Sequence, residues 1–174
     1  MVESSGIHAN GLTLARTIAS KLPDGYSTLL SDGSLYGESL LTPTHIYAKL
    51  IQDLFEQHID IHYMVNITGH GWRKLMRANR DFTYVINEIP KPQPVFKFIQ
   101  EQSGNDDREM YGNFNMGAGF AIYLPEKDSD KASRIAHQNH GLKTLKAGHV
   151  EKGQKQVAIR PKNIVFEGKS LGVR

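Results

Sequence analysis

The stretch Ser4-Ser5-Gly6-Ile7-His8-Ala9-Asn10-Gly11 constrains this 174-residue chain more than any other. Small residues, an imidazole and an amide precede a run that carries Leu12, Ala15, Ile18, Ala19 and Leu22 on one face of a helix. Such a stretch is a loop feeding a helix N-terminus. Asn10 has the chemistry of an N-cap, because its side-chain oxygen can accept from an unpaired N–H of the first turn. Gly11 admits a close approach to the backbone. Free N–H groups and the helix dipole attract anions to such an end. An ordinary capped helix has the same local pattern, so the loop alone leaves both readings open.

The remaining chain supplies a sheet for that helix to pack on. Pro23-Asp24-Gly25 ends the helix near Leu22, and residues 26–38 read as a loop. Thr42-Pro43 reads as the next helix start, with threonine as N-cap and proline at the first helical position. Ile46, Leu50 and Leu54, flanked by Tyr47, Ile51 and Phe55, give that helix a wide apolar stripe. Residues 59–67 alternate apolar and polar, which predicts a strand with His62 and Asn66 on the face opposite the isoleucines.

That strand runs into Thr68-Gly69-His70-Gly71-Trp72 and a basic, helical segment. A strand, a glycine turn and a helix in this order can present backbone N–H groups to an anion. Neither the P-loop lysine spacing nor the dinucleotide fingerprint is present. The stretch Arg73-Lys74-Leu75-Met76-Arg77, with Arg80 behind it, fits a solvated helix face and an anion-facing one equally well. Trp72, directly after the turn, reads as a packing anchor.

Phe82–Ile86 reads as a second strand, Pro90, Pro92 and Pro94 as an extended connector, and residues 95–102 as a short helix. Asn113-Phe114-Asn115-Met116-Gly117-Ala118-Gly119 leads into Phe120-Ala121-Ile122-Tyr123-Leu124, apolar enough for a strand covered on both faces. Asn113 and Asn115 share a face there, as turn-stabilising amides or as ligand-facing ones. Glu126, Asp128 and Asp130 at one end, and His137 and His140 before Gly141 at the other, complement a helix dipole. No metal site is assigned to the histidines. Residues 143–174 read as three or four short strands completing a mixed sheet. The pattern is α/β or α+β, helices flanking a mixed sheet with glycine loops at one edge, as one domain over residues 1–174.

Composition excludes several classes. With 39% hydrophobic and 22% charged residues the chain has the make-up of a soluble globular protein, and without cysteine it has no disulfide, zinc–thiolate site or thiol nucleophile. A net charge of +3, dispersed along the chain, does not imply nucleic acid and suits a phosphorylated small molecule better. No apolar run approaches a membrane span, so a cytoplasmic location is expected.

Four blocks occur in order: Ser5-Gly6-Ile7-His8-Ala9-Asn10-Gly11, Leu41-Thr42-Pro43-Thr44-His45-Ile46-Tyr47, Asn66-Ile67-Thr68-Gly69-His70-Gly71, and Asn113-Phe114-Asn115-Met116-Gly117-Ala118-Gly119. Together they closely resemble the C-terminal half of phosphoribosylformylglycinamidine cyclo-ligase, also called aminoimidazole ribonucleotide synthetase. The resemblance runs from about Glu3 to the tail Val165-Phe166-Glu167-Gly168-Lys169-Ser170-Leu171.

It implies a domain of partial ferredoxin-like topology. In the family an N-terminal domain supplies the dimer interface and most of the site for ATP and Mg2+, and the active site lies in the groove between the two. The implied reaction belongs to purine biosynthesis: ATP phosphorylates the formyl oxygen of formylglycinamidine ribonucleotide, and a nitrogen then closes the imidazole ring with loss of phosphate. Family motifs fall on Ser5, Gly6, His8, Asn10 and Gly11, on Asn66, Thr68, Gly69 and Gly71, and on Asn115 and Gly117. The three loops are expected to converge on the groove, with His8 as the acid/base or oxyanion-stabilising group. The family usually has glycine at the position of His70 and leucine at that of Trp72; His70 can donate to a phosphate or a substrate carbonyl, or merely fill space.

Because a methionine stands almost directly before the first block, the N-terminal domain is expected to be missing and the chain to be inactive alone. Two other classes fit. One is a different enzyme of the same ATP-dependent superfamily. The other is a non-enzymatic module that binds phosphorylated metabolites or another protein. A bare interdomain face predicts self-association, as in a homodimer.

Overall fold

The computed structural model of the chain describes residues 1–172, in which the strands divide between two sheets. In the first, β4 (Ala118–Tyr123) lies between β1 (Val2–Glu3) and β2 (Tyr63–Asn66), antiparallel to both. The second has the order β5 (Gly148–Lys152), β3 (Phe82–Ile86), β6 (Gln156–Ile159), β7 (Ile164–Glu167), in which β3 and β6 are parallel and the outer pairs antiparallel. Among the described residues six α-helices flank them: α1 (Leu12–Ala19), α2 (Tyr36–Leu41), α3 (Ala48–Glu56), α4 (Pro94–Ser103), α5 (Asp107–Asn113) and α6 (Glu126–His140). The expected mixed α/β class holds, with two sheets in place of one.

β4 is central because its sequence can face two cores. Phe120 joins the core of α3 and α6, where it stacks on Tyr47 at 5.0 Å between ring centres, while Ala118 and Ala121 face the larger core of α1, α4 and α5. Trp72 lies in the larger core as the anchor it was expected to be, edge-on to Tyr111 at 5.0 Å. β2 is shorter than the expected residues 59–67, pairing from Tyr63, opposite the last residue of β4, to Asn66, opposite Phe120. Its alternation is as read, with Tyr63 and Val65 half-buried and Met64 and Asn66 exposed.

Two expectations about the second quarter of the chain are corrected. Thr42-Pro43 does not start a helix. Thr42 closes α2, with φ −55° and ψ 123°, because the proline after it disfavours helical backbone, and α3 begins only at Ala48. α2 itself begins within residues 26–38, where a loop was expected; it is six residues long and has one buried side chain, Tyr36, whose hydroxyl donates to Ala15 O at 3.0 Å. The stripe on α3 is also narrower than expected. Tyr47, Leu50 and Leu54 are buried, but Ile46 is 84% exposed and Phe55 51%.

The ends of the later helices follow their chemistry. Asp106 and Glu109 form a reciprocal capping box on α5, and Gly141, at φ 64°, closes α6. His140 Nε2 sits 2.9 Å from an Asp53 carboxylate oxygen, tying α6 to α3. No helix among the described residues is long and apolar enough to cross a membrane.

Candidate active site

The three glycine-bearing loops meet, and one amide joins them. Asn115 is fully buried; its Oδ1 accepts from Ser4 Oγ at 2.8 Å and from Gly117 N–H at 3.0 Å, and its Nδ2 donates to Gly6 O at 2.9 Å. Its backbone carbonyl accepts from Trp72 Nε1 at 2.8 Å, which brings in the loop that follows β2. Ser4 N–H donates to Gly117 O at 2.9 Å, and a Cβ placed on Gly69 would lie 3.6 Å from Asn10 Oδ1. Asn113, expected to share an extended face with Asn115, instead ends α5 and donates through Nδ2 to Glu109 O at 2.9 Å.

The first loop departs from the expected cap. Asn10 does not cap α1: its Nδ2 donates to Ile7 O at 3.2 Å, so the amide folds the loop, and Gly11 stands at the helix boundary in the left-handed region, φ 65°. A Cβ at Gly11 would lie 2.1 Å from the Phe114 ring, so glycine is needed there for space as well. Ser5 is half-buried and donates through Oγ to Pro43 O at 2.6 Å. Beside Ser5 and Gly6 a pocket of about 280 Å³ opens toward Ser39, Thr42 and Gln93. Gln93 donates to Ser4 O through Nε2.

His8 is also left-handed, φ 56°, and half-buried. Its Nε2 accepts from Ser5 N–H at 3.2 Å, which places the ring proton on Nδ1. Burial, and secondly the neighbouring His45, pull its pKa down to about 4. At neutral pH His8 is therefore an uncharged imidazole with a donor at Nδ1. The Tyr47 hydroxyl donates to Glu3 O at 2.7 Å, and a Cβ at Gly119 would lie 2.0 Å from that hydroxyl oxygen and 2.7 Å from His8 Cε1. Tyr47 and Gly119 thus frame the ring. Neither was singled out for this in the sequence, because the approach is made by residues from three separate segments.

The histidine gives a pH signature. The unfolded chain binds this proton near pH 6.5 and the folded chain only near 4, so the stability is complete above pH 6.5 and falls as pH drops toward 4. Between pH 7 and 4.5 the wild type is expected to lose more stability in urea unfolding than His8→Asn, whose side chain tolerates the left-handed backbone. In NMR the His8 ring should titrate near pH 4.

The second loop offers exposed and buried parts. Asn66 and Gly69 are exposed, Thr68 and His70 half-buried, and Gly71 buried at φ 52°. The basic stretch divides in two. Arg73 is structural, with Nη2 donating to Gly112 O at 2.6 Å and Nη1 to Ser170 O at 3.3 Å. Lys74 donates to Thr68 Oγ1 at the mouth of the loop. Burial, then the adjacent Arg77, lower its pKa. A half-desolvated cation beside a second cation is relieved by an anion. This role of Lys74 could not be separated from a solvated helix face in the sequence.

The glycine loops of this α/β domain are thus gathered beside a lysine and a neutral imidazole. The family model "AIR synthase related protein, C-terminal domain" matches residues 1–160, and the chain belongs to that family. Among curated relatives it is 39% identical over 151 residues to the phosphoribosylformylglycinamidine cyclo-ligase of Methanococcus maripaludis, covering 86% of this chain and 43% of the relative. It is 40% identical over 139 residues to that of Methanocaldococcus jannaschii (79% and 40%) and 36% identical over 168 residues to that of Methanosarcina barkeri (95% and 46%). The chain spans less than half the length of these relatives.

Proposed function

We propose that residues 1–174 form one domain that supplies the substrate-binding half of a phosphoribosylformylglycinamidine cyclo-ligase. The observation that carries this reading is the joining through Asn115 of the three loops, the segments that bear His8, Asn66, Gly69 and Lys74. In this reading Lys74 and the backbone N–H groups of the second loop take the phosphate of formylglycinamidine ribonucleotide. Ser5, Gly6 and the adjoining pocket hold its other end. The Nδ1–H of His8 donates to the formyl oxygen as charge develops there, the role of an oxyanion donor. Asn10, Gly11, Gly71, Asn115 and Gly117 act one step back, fixing the loops. His70 completes the rim of the second loop.

ATP with magnesium supplies the phosphoryl group that activates the formyl oxygen. In this reading an N-terminal domain supplies most of the magnesium and ATP site, which makes the chain inactive alone. Leu41, 82% exposed at the end of α2, and Ile46, 84% exposed on the stretch joining α2 and α3, stand next to the His8 side of the site. That domain covers them in this reading, and without it they favour self-association.

Titration calorimetry with formylglycinamidine ribonucleotide tests the assignment. Lys74→Met is expected to weaken binding about tenfold, the loss of one charge-assisted contact. Equal affinity in wild type and variant would contradict the placement of the phosphate at the second loop.

A further inference from the structure

Strand β1 is two residues long, yet it lies between two backbones. On one side it pairs with β4, Val2 opposite Phe120 and Glu3 opposite Ala118. On the other, the Met1 nitrogen donates to Leu145 O at 2.7 Å, Leu145 N–H to Met1 O at 2.9 Å and Glu3 N–H to Lys143 O at 3.0 Å. β4 continues past Phe120 through Tyr123, and over that length it has no neighbour on the β1 side among the described residues.

In line with β1 a cleft of about 750 Å³ opens between residues 121–124 and residues 145–150. Leu50, Leu54, Ala132 and Ala136 of the α3/α6 core form one face of it, and Tyr84 and Ile86 of the larger core the other. Ser129 Oγ, also lining it, is buried without a hydrogen-bond partner. Val2 packs into the first of these cores and Met1 against the second. Successive strand residues point to opposite faces, so a strand prolonging β1 would send alternate side chains into each core, the arrangement of a strand buried on both faces.

We infer that this cleft is a strand-acceptor slot whose occupant is the polypeptide that leads into this fold in the longer relatives, running antiparallel to β4. Two observations select that occupant. The family model describes a C-terminal domain and the relatives are more than twice the matched length, so in them a segment enters this fold from upstream. The direction and register of β1 carry such a segment into the cleft, with the residue before Met1 opposite Ile122, two steps on from the pairing of Val2 with Phe120. Three residues, ~10 Å at ~3.3 Å each, would run alongside β4 as far as Leu124 and join the two sheets through β1. The inference goes beyond the ring-closure reading and stands whether or not the loops bind the ribonucleotide.

The test compares the 174-residue chain with two extended forms. One carries Ile-Val-Ile-Val before Met1, and the other Asp-Gly-Asp-Gly, which has low strand propensity and would place carboxylates in an apolar core. The first extension is expected to slow amide exchange at Ile122 by about tenfold or more and to raise Tm by roughly 5 °C, and the second to do neither. Unchanged exchange at Ile122 with the first extension, or equal gains with both, would overturn the slot.

Discussion

Replacing Asn115 with alanine is expected to lower the unfolding free energy by about 3–5 kcal/mol, measured by urea denaturation. Three groups lose their partner at once: the Ser4 hydroxyl, the Gly117 N–H and the Gly6 carbonyl. Each sits in the interior, where an unpaired polar group costs about 1–3 kcal/mol and water reaches it poorly. The same change uncouples the first loop from the third. At a temperature where the variant is still folded, its affinity for the ribonucleotide should therefore fall further than that of Lys74→Met. A loss under 1 kcal/mol would mean that these loops are held by something other than Asn115.

Gly71→Ala is expected to cost about as much, ~3–5 kcal/mol, for a different reason. The residue has φ 52°, and a Cβ there would stand 2.2 Å from Tyr111 O, 2.7 Å from Gly112 C and 2.8 Å from Asn113 N. All three are backbone atoms at the end of α5, so no side chain can swing aside and the helix itself must shift. Gly104→Ala is the matched control. It has φ 73° with nothing within 4 Å, and should cost only the roughly 1–2 kcal/mol of left-handed backbone. Equal losses at the two positions would show that the close approach of α5 to the second loop is not tight.

What the sequence made legible follows the range of the interactions. Strand β3, helices α4 and α6 and the short strands near the C-terminus depend on patterning within a few residues, and all were readable from it. So was Trp72 as an anchor. The Thr42-Pro43 pair failed because its local chemistry serves the end of one helix as well as the start of another, and only the packing of Tyr36 under α1 decides between them. The role of Asn10 failed similarly: the amide can cap a helix or fold a loop, and the approach of Phe114 to Gly11 selects the loop.

In the candidate site the motif residues were visible as four ordered blocks, but their division of labour was not. Asn115 looked equally suited to stabilising a turn or facing a ligand, and its burial under Trp72 and Ser4 makes it a joint between loops. His8 was read as an acid, a base or an oxyanion donor. The acceptance of the Ser5 N–H at Nε2, and the low pKa that follows burial, leave it a neutral donor at pH 7. Those properties arise from contacts with residues up to 111 positions away, which no local pattern encodes.

The most direct measurement is amide chemical-shift mapping of this chain as formylglycinamidine ribonucleotide is added. The account predicts saturable shifts concentrated in residues 5–11, 66–74 and 113–119, weakened together in Lys74→Met. Saturable shifts located elsewhere, or none at millimolar ligand, would contradict the assignment of these loops as the substrate half of a cyclo-ligase.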